Sequence, residues 1–190
     1  MDFLIVGLGN IGQDYVGTRH NAGFMIVETL ANRHDATWTE NRYGSTADIR
    51  VKNKTAKLLR PNTLMNLSGN AVKFWLQKEK IELSNLLVAV DDLALPFGAL
   101  RLRPSGAPGS HNGLKNICDL LGTEQYARLR FGLGSDYERG RQIDYVLGAF
   151  SAEQQQELPD HLTLAAEAIE KYMLEGIQPA MNAFNTARKR

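Results

Sequence analysis

The chain begins with a short apolar run, Phe3-Leu-Ile-Val6, that passes directly into three glycines spaced G-x-G-x-x-G at Gly7, Gly9 and Gly12. A run this short and apolar reads as a buried strand, which points to a sheet covered by helices. The glycine spacing is that of a dinucleotide turn, which raises the question of a bound NAD or FAD. In such a turn the third glycine opens a helix that faces the pyrophosphate, and an acid about 20 residues on ends the second strand. Here Gly12 leads into the loop-like Gln-Asp-Tyr-Val-Gly-Thr-Arg-His-Asn-Ala-Gly23, and helical periodicity starts only near Ala22. Glu28 falls inside that helix and Asp35 at its end, so neither acid ends a strand. What the glycines do predict is a tight backbone at the carboxyl end of the first strand, the edge where open α/β sheets hold ligands. Asn10 sits at that edge, either as a plain turn residue or as a ligand contact.

The rest of the chain alternates in the same manner. Phe24, Val27, Leu30 and Ala31 predict a helix over Ala22–His34; Ser45–Val51 and Thr55–Leu59 read as strands joined by a turn at Lys52-Asn-Lys54. Leu64, Leu67, Ala71 and Phe74 mark a second helix, Leu86–Val90 a central strand, and Ala99–Arg103 and Ala127–Leu133 two more, with a helix over Gly113–Leu121 between them. Tyr145–Leu147 reads as a further short strand. From about residue 151 the chain turns helical, with Leu162, Ala165, Ile169 and Tyr172 on one stripe, a break at Gly176 and Pro179, a short last helix and the tail Arg188-Lys-Arg190. The expectation is a single domain spanning residues 1–190, an α/β fold: a three-layer α/β/α sandwich around a twisted mixed, mostly parallel sheet.

Composition removes several function classes. The longest apolar run, Leu86–Val90, is far short of the roughly 20 residues that cross a bilayer, and the N-terminus lacks a signal peptide's pattern, so a cytoplasmic protein without a membrane partner is expected. Cys118 is the one cysteine, which rules out an internal disulfide or a cysteine-rich metal site, and its apolar helical surroundings read as a buried structural thiol. None of the four histidines pairs with another at H-E-x-x-H spacing, so no metal is expected.

Polar residues collect where elements begin and end. "TRHNAG" sets His20 and Asn21 just before the first helix, "LMNLSGNAV" sets Asn66 and Ser68 near the start of the second, and "SHNGLKNI" sets His111 and Asn112 at the start of the third. Each is readable as a helix cap. Asp91 and Asp92 follow "LLVAV", again at a strand's carboxyl end, as solvated turn residues or as partners for an imidazole. If Asp91 faces His20, it holds the ring in one tautomer and stabilises the imidazolium formed when a proton is taken up. Carboxamides at Asn10, Asn66 and Asn112 then supply donors for an oxyanion and acceptors for a water. A serine nucleophile fits less well, since neither Ser68 nor Ser110 lies in a G-x-S-x-G elbow.

In "LRLRP" the strand period puts Arg101 and Arg103 on one face, and "RLRFG" repeats this with Arg128 and Arg130. Such a face is either an ordinary exposed surface or a set of planar, bidentate phosphate donors. With a net charge of +1, any nucleic-acid binding would be local and salt-sensitive.

Together, "VGLGNIGQDYVGTRHNAGF", "RPNTLMNLSGNAV", "LLVAVDDLALPFG", "HNGLKNI", "ARLRFGLG" and "DYVLGAF" resemble, in order, the bacterial-type peptidyl-tRNA hydrolases. The resemblance implies a monomeric, cofactor-free carboxylic-ester hydrolase that acts on peptidyl-tRNA, freeing tRNA from aborted translation. It implies His20 as the base that activates water, Asp91 as its orienting partner and Asn10 as the group that positions the ester. Asn66 and Asn112 would bind peptide backbone and water, Tyr15 and Met65 would line the cleft, and Arg103 and Arg130 would grip a tRNA phosphate. On residues alone Met65 reads as core. The chain departs from the family pattern at Ile11 (usually proline), Ala94 (usually an acid), Pro108 and Ser110 in the loop before His111, and Ser135-Asp136, where Asp136 would weaken phosphate attraction near Arg130. Two rivals stand beside the enzyme: a non-catalytic RNA-binding relative, and a dinucleotide-dependent oxidoreductase. The hydrolase reading requires His20 and Asp91 to meet in space.

Overall fold

The computed structural model describes residues 1–186, so the basic tail Arg188-Lys-Arg190 lies outside the described residues. Seven strands form one sheet: β1 (Phe3–Gly7), β2 (Thr39–Asn41), β3 (Gly44–Val51), β4 (Lys54–Pro61), β5 (Leu86–Asp92), β6 (Leu100–Arg103) and β7 (Ala127–Gly132). Their order is β2-β3-β4-β1-β5-β7-β6. The central four, β4, β1, β5 and β7, are parallel, while β2, β3 and β6 join by antiparallel pairing at the two flanks.

The sheet is covered on both sides because β1 is apolar at every position and β5 is apolar from Leu86 to Val90. In β1, Phe3 and Ile5 face one core with α1 (Ala22–Arg33), α5 (Ala152–Glu175) and α6 (Ile177–Phe184). Leu4 and Val6 face the other, with α2 (Ser68–Glu79) and α3 (Asn112–Leu121). This is the three-layer sandwich expected from the alternation of strands and helices. None of the helices is long and apolar enough to cross a membrane, within the described residues.

Glycine at two positions sets the distance between α1 and the sheet. A Cβ on Gly7 would lie 2.1 Å from the carbonyl oxygen of Gly23, and one on Gly23 would lie 2.5 Å from the carbonyl oxygens of Leu8 and Ala89. The start of α1 therefore rests directly on the ends of β1 and β5, backbone against backbone.

Two elements differ from the sequence-based expectation, and the long helix α5 begins where it was expected. The expected strand at Tyr145–Leu147 is instead part of a short helix, α4 (Gln142–Val146), and only Ala149 makes an isolated bridge, to Thr18. Tyr145 sits there as an anchor, its hydroxyl donating to the Leu133 carbonyl at 2.7 Å. The short strand β2 has three exposed residues and no apolar alternation to announce it. Helix α5 begins ten residues before its apolar stripe, because Ser151 and Gln154 form a reciprocal capping box, and it runs through Pro159. At the flank, Asn185 and Thr186 bond both backbone groups of Leu102 and Leu100, which covers the free edge of β6.

Candidate active site

The parallel strands β1 and β5 end side by side, and the helices that follow or flank them start at the same edge. A single helical turn, Arg19–Asn21, delivers His20 on the α1 side, and the N-terminus of α3 delivers His111 from the opposite layer. Both imidazoles converge on Asp91, near the end of β5. His20 Nδ1 lies 2.7 Å from Asp91 Oδ2, and His111 Nε2 lies 2.9 Å from Asp91 Oδ1. Asp91 is 4% exposed and His20 18%, so the carboxylate is shielded while the His20 ring still reaches the cleft. The pairing predicted from sequence is thus present.

Two tautomers follow from these contacts. An ionised carboxylate only accepts, so His20 donates from Nδ1 and keeps the Nε2 lone pair as a base. His111 Nδ1 accepts the Leu114 backbone N–H at 3.3 Å, leaving Nε2–H to donate to Asp91. Burial alone would push the Asp91 carboxyl up, but the two imidazoles more than offset it and hold it down at about 2. For His20, burial opposes the charged form, yet the hydrogen bond and charge of Asp91 raise its pKa above the ordinary 6.5.

His111 was legible in sequence only as a cap of the third helix. It is that cap, and it is also the second partner of Asp91. The signal was a repeated His-Asn-small pattern, "HNAG" and "HNGL", each opening a helix at the same sheet edge. Asn21, read likewise as a cap, makes no capping bond: its Oδ1 accepts the Asn10 N–H at 2.7 Å and its Nδ2 donates to the Asn10 carbonyl at 3.0 Å. Asn21 is 5% exposed, so a buried carboxamide locks the Asn10 backbone beside His20. The Asn10 carboxamide itself has no protein partner among the described residues.

The remaining candidates line the same edge. Asn66 and Asn112 are exposed, the first on a turn at Met65–Leu67 and the second as the first residue of α3. Helix α2, which follows that turn directly, is tied to α3, since Asn116 Oδ1 accepts the Gly69 N–H at 2.8 Å. Met65 is buried, and a Cβ on Gly113 would lie 2.8 Å from its sulfur, so Met65 packs under the cleft as core. Tyr15 is 37% exposed on the turn Gln13–Tyr15. Ser68 is buried, with its hydroxyl donating to the Met65 carbonyl at 2.7 Å; it caps a turn and contacts no histidine. Cys118 is buried against the Tyr126 hydroxyl at 3.2 Å, as a structural thiol would be.

On the β6–β7 flank, Arg101 stands opposite Arg130 and Arg103 opposite Arg128, all on one face. Their fates differ. Arg130 is partly exposed, with Nη2 donating to the Ala107 carbonyl at 2.9 Å and Nη1 3.7 Å from Asp92, not Asp136. Arg103 is partly exposed and donates to its neighbour's carbonyl. Arg128, which the strand period placed with the others, is fully buried, stacked 4.4 Å over Tyr126 and donating to the Glu124 carbonyl. The face that solvent can reach is therefore narrower than the sequence pattern suggested.

His20, Asp91 and His111 also form the cluster that geometry would allow a metal ion, with ligand atoms within 4.8 Å of one another. In this arrangement His20 Nδ1 and His111 Nε2 are engaged with the Asp91 carboxylate, at 2.7 and 2.9 Å. The arrangement suits general-base chemistry: a charged partner for an imidazole, a free nitrogen facing the cleft, and carboxamides around it.

Both the sequence and the fold match known proteins. The family model of peptidyl-tRNA hydrolase matches residues 4–190. A peptidyl-tRNA hydrolase of Parabacteroides distasonis is 59% identical over 97% of this chain and 99% of its own length, and one of Porphyromonas gingivalis is 55% identical over 97% and 100%. The crystal structure of the peptidyl-tRNA hydrolase of Acinetobacter baumannii superposes with a TM-score of 0.87 at 35% identity, covering 98% of this chain and 97% of that one.

Proposed function

The chain belongs to the peptidyl-tRNA hydrolase family, and we propose that it cleaves the ester between a peptide and the terminal ribose of tRNA with a water activated by His20. The observation that carries this is the Asp91 carboxylate held 2.7 Å from His20 Nδ1, which leaves Nε2 as the base in the cleft. His20 Nε2 takes a proton from water as the resulting hydroxide attacks the ester carbonyl carbon. The imidazolium formed is stabilised by Asp91, which is itself oriented by His111. The tetrahedral oxyanion collapses, the C–O bond to the ribose breaks, and His20 returns its proton to the leaving ribose oxygen.

Asn10 positions the ester, its backbone fixed by Asn21. Asn66 and Asn112 hold peptide backbone and the attacking water, Tyr15 lines the cleft with Met65 packed beneath it, and Arg103 and Arg130 hold a tRNA phosphate. No step requires a metal or a cofactor. The chain acts as a monomer in the cytoplasm. The retained base, its partner and all three asparagines favour hydrolysis over RNA binding alone, since binding needs no buried carboxylate behind an imidazole.

The test is release of N-acetylamino acid from N-acetylaminoacyl-tRNA, with unblocked aminoacyl-tRNA and His20→Ala as controls. Cleavage confined to the blocked substrate, falling about 10²–10⁴-fold in the variant, is expected. Folded protein that binds tRNA without cleaving it would leave an RNA-binding protein. The wild-type rate should survive chelator in monovalent salt; loss restored by one divalent metal would place an ion at His20, Asp91 and His111.

A further inference from the structure

The strand order separates two flanks of the candidate cleft. β7 and β6, with Arg130 and Arg103, lie on one side of β1 and β5, and β4 and β3 lie on the other. The β4 flank carries a surface for which the reaction has no use so far. Arg42 stands over two rings, 5.1 Å from the centroid of Tyr43 and 5.4 Å from that of Phe74, and Lys78 lies 5.7 Å from the centroid of Phe74 and 5.1 Å from that of Trp75. The rings brace each other, with Tyr43–Phe74 and Phe74–Trp75 both edge-on at 5.3 Å. Trp75 Nε1 donates to the Arg42 carbonyl at 3.0 Å, which pins the backbone beneath that guanidinium.

Both cations are exposed, and neither has a carboxylate within 4.0 Å among the described residues. The nearby acids are engaged elsewhere: Asp48 and Glu79 with Lys57, and Glu40 with the Ser45 hydroxyl. The patch therefore presents two ordered, uncompensated positive charges on an apolar floor, an arrangement that suits a carboxylate.

This patch is continuous with the cleft. Asn62 donates its N–H to the Tyr43 carbonyl at 3.0 Å, and the segment from Asn62 leads past Leu64, 69% exposed, to Asn66, with Leu67, 41% exposed, just beyond it. Four residues span at most about 14 Å, so a chain leaving Asn66 reaches Asn62, bonded to Tyr43, within about four extended residues, and the one or two residues beyond those lie at the patch. If tRNA lies on the arginine flank and the ester beside His20, the acyl group leaves on the β4 side.

We propose that Arg42 and Lys78, over Tyr43, Phe74 and Trp75, form a subsite for acidic side chains of the peptidyl group about four to six residues before the ester. This rests on the hydrolase reading above and names a substrate preference within it. RNA stacking on the same rings is the competing occupant, disfavoured because the patch lies across the catalytic strands from Arg103 and Arg130.

The experiment measures KM and kcat for hexapeptidyl-tRNAs that share a C-terminal residue but carry Glu or Gln at the upstream positions, beside N-acetylaminoacyl-tRNA. Wild type is compared with Arg42→Glu/Lys78→Glu, whose exposed positions leave the core intact. In low salt, wild type should show a KM about three- to tenfold lower for the Glu peptide, shrinking as salt rises. The double variant should lose or invert that preference and cleave N-acetylaminoacyl-tRNA within about twofold of wild type. Equal KM values for Glu and Gln in wild type, or a preference that persists in the variant, would overturn the proposal. A parallel loss of affinity for deacylated tRNA in the variant would also overturn it, giving the patch to RNA. No cleavage of N-acetylaminoacyl-tRNA by wild type would instead remove the hydrolase reading, and the subsite with it.

Discussion

Replacing Asp91 by Asn removes a charge while keeping shape, and the structure fixes what must follow. The carboxylate accepts one N–H on each oxygen, from His20 at 2.7 Å and from His111 at 2.9 Å. An amide has one accepting oxygen and a donating nitrogen, so one imidazole must change tautomer or lose its partner. The Asp91 carboxyl is held at about 2 against 3.8, which corresponds to about 2 kcal/mol of stabilisation at neutral pH. The sign follows from the direction of the shift: a lowered pKa gives stability present above the unfolded value of about 3.9 and lost as pH falls through about 2. His20 works in the opposite sense, because its raised pKa gives stability present below 6.5 and lost as pH rises through the folded value. Asp91→Asn should therefore lower stability by about 2 kcal/mol at neutral pH, a drop of roughly 4–8 °C in Tm for a chain this size.

The kinetic signature is separate from the loss of stability. With Asp91 neutral, burial is left as the main influence on His20, and burial disfavours the imidazolium. The acid limb of the kcat/KM profile should move to lower pH while the plateau falls about 10²–10⁴-fold. The assay is the pH dependence of N-acetylaminoacyl-tRNA cleavage, measured at a temperature where both proteins are folded. A plateau that falls with the acid limb unmoved would mean that His20 is not the titrating base, or that Asp91 does not set its pKa, and the mechanism would fail.

Three further perturbations separate the parts. Asn21→Ala removes both bonds that fix the Asn10 backbone, so it should cost about 1–3 kcal/mol in urea unfolding and reduce kcat by up to about 10²-fold; an unchanged kcat would show that Asn10 needs no such lock. Gly23→Ala forces a methyl to within 2.5 Å of two carbonyl oxygens, so a loss of at least about 1–3 kcal/mol is expected in thermal melting, with a lower kcat because the turn carrying His20 shifts; a stable, fully active variant would refute the close docking of α1. Arg130→Ala should raise KM, leave kcat unchanged and reduce the slope of log affinity against log salt by about 1 in tRNA binding; a fall in kcat alone would place Arg130 outside phosphate binding.

Much of this was legible because its physics is local. The apolar strands Phe3–Gly7 and Leu86–Asp92 announce a sheet covered on both faces, and the polar residues at their ends announce the ligand edge. His20 and Asp91 are 71 residues apart in sequence, yet each sits where a parallel strand or its following helix meets that edge, so topology brings them together. What the sequence hid was determined by neighbours it does not order. His111 and Asn21 satisfy the local pattern of a cap, and only the third dimension shows one turned to Asp91 and the other to Asn10. Arg128 has the same strand parity as Arg130, but the segment around Glu124 and Tyr126 folds over it and removes it from solvent. Tyr145–Leu147 has the apolar content of a strand, yet its tyrosine is held by a carbonyl of the chain beyond β7 and the segment closes as a helical turn.

The G-x-G-x-x-G spacing has its explanation in the same contacts. In a dinucleotide turn the glycines make room for a pyrophosphate between strand and helix. Here a Cβ on Gly7 would collide with the carbonyl of Gly23, and a Cβ on Gly9 would lie 2.7 Å from Phe24 and 2.9 Å from Asn21 Oδ1. The space beside the strand is filled by α1 itself, so no cofactor phosphate fits between them. The nine residues between Gly12 and Ala22 carry the chain out and back, and their return places His20 and Asn21 at the strand end. A spelling shared with nucleotide-binding proteins thus serves a different end, in which the glycines admit a helix instead of a ligand and the helix brings the base to the carboxylate.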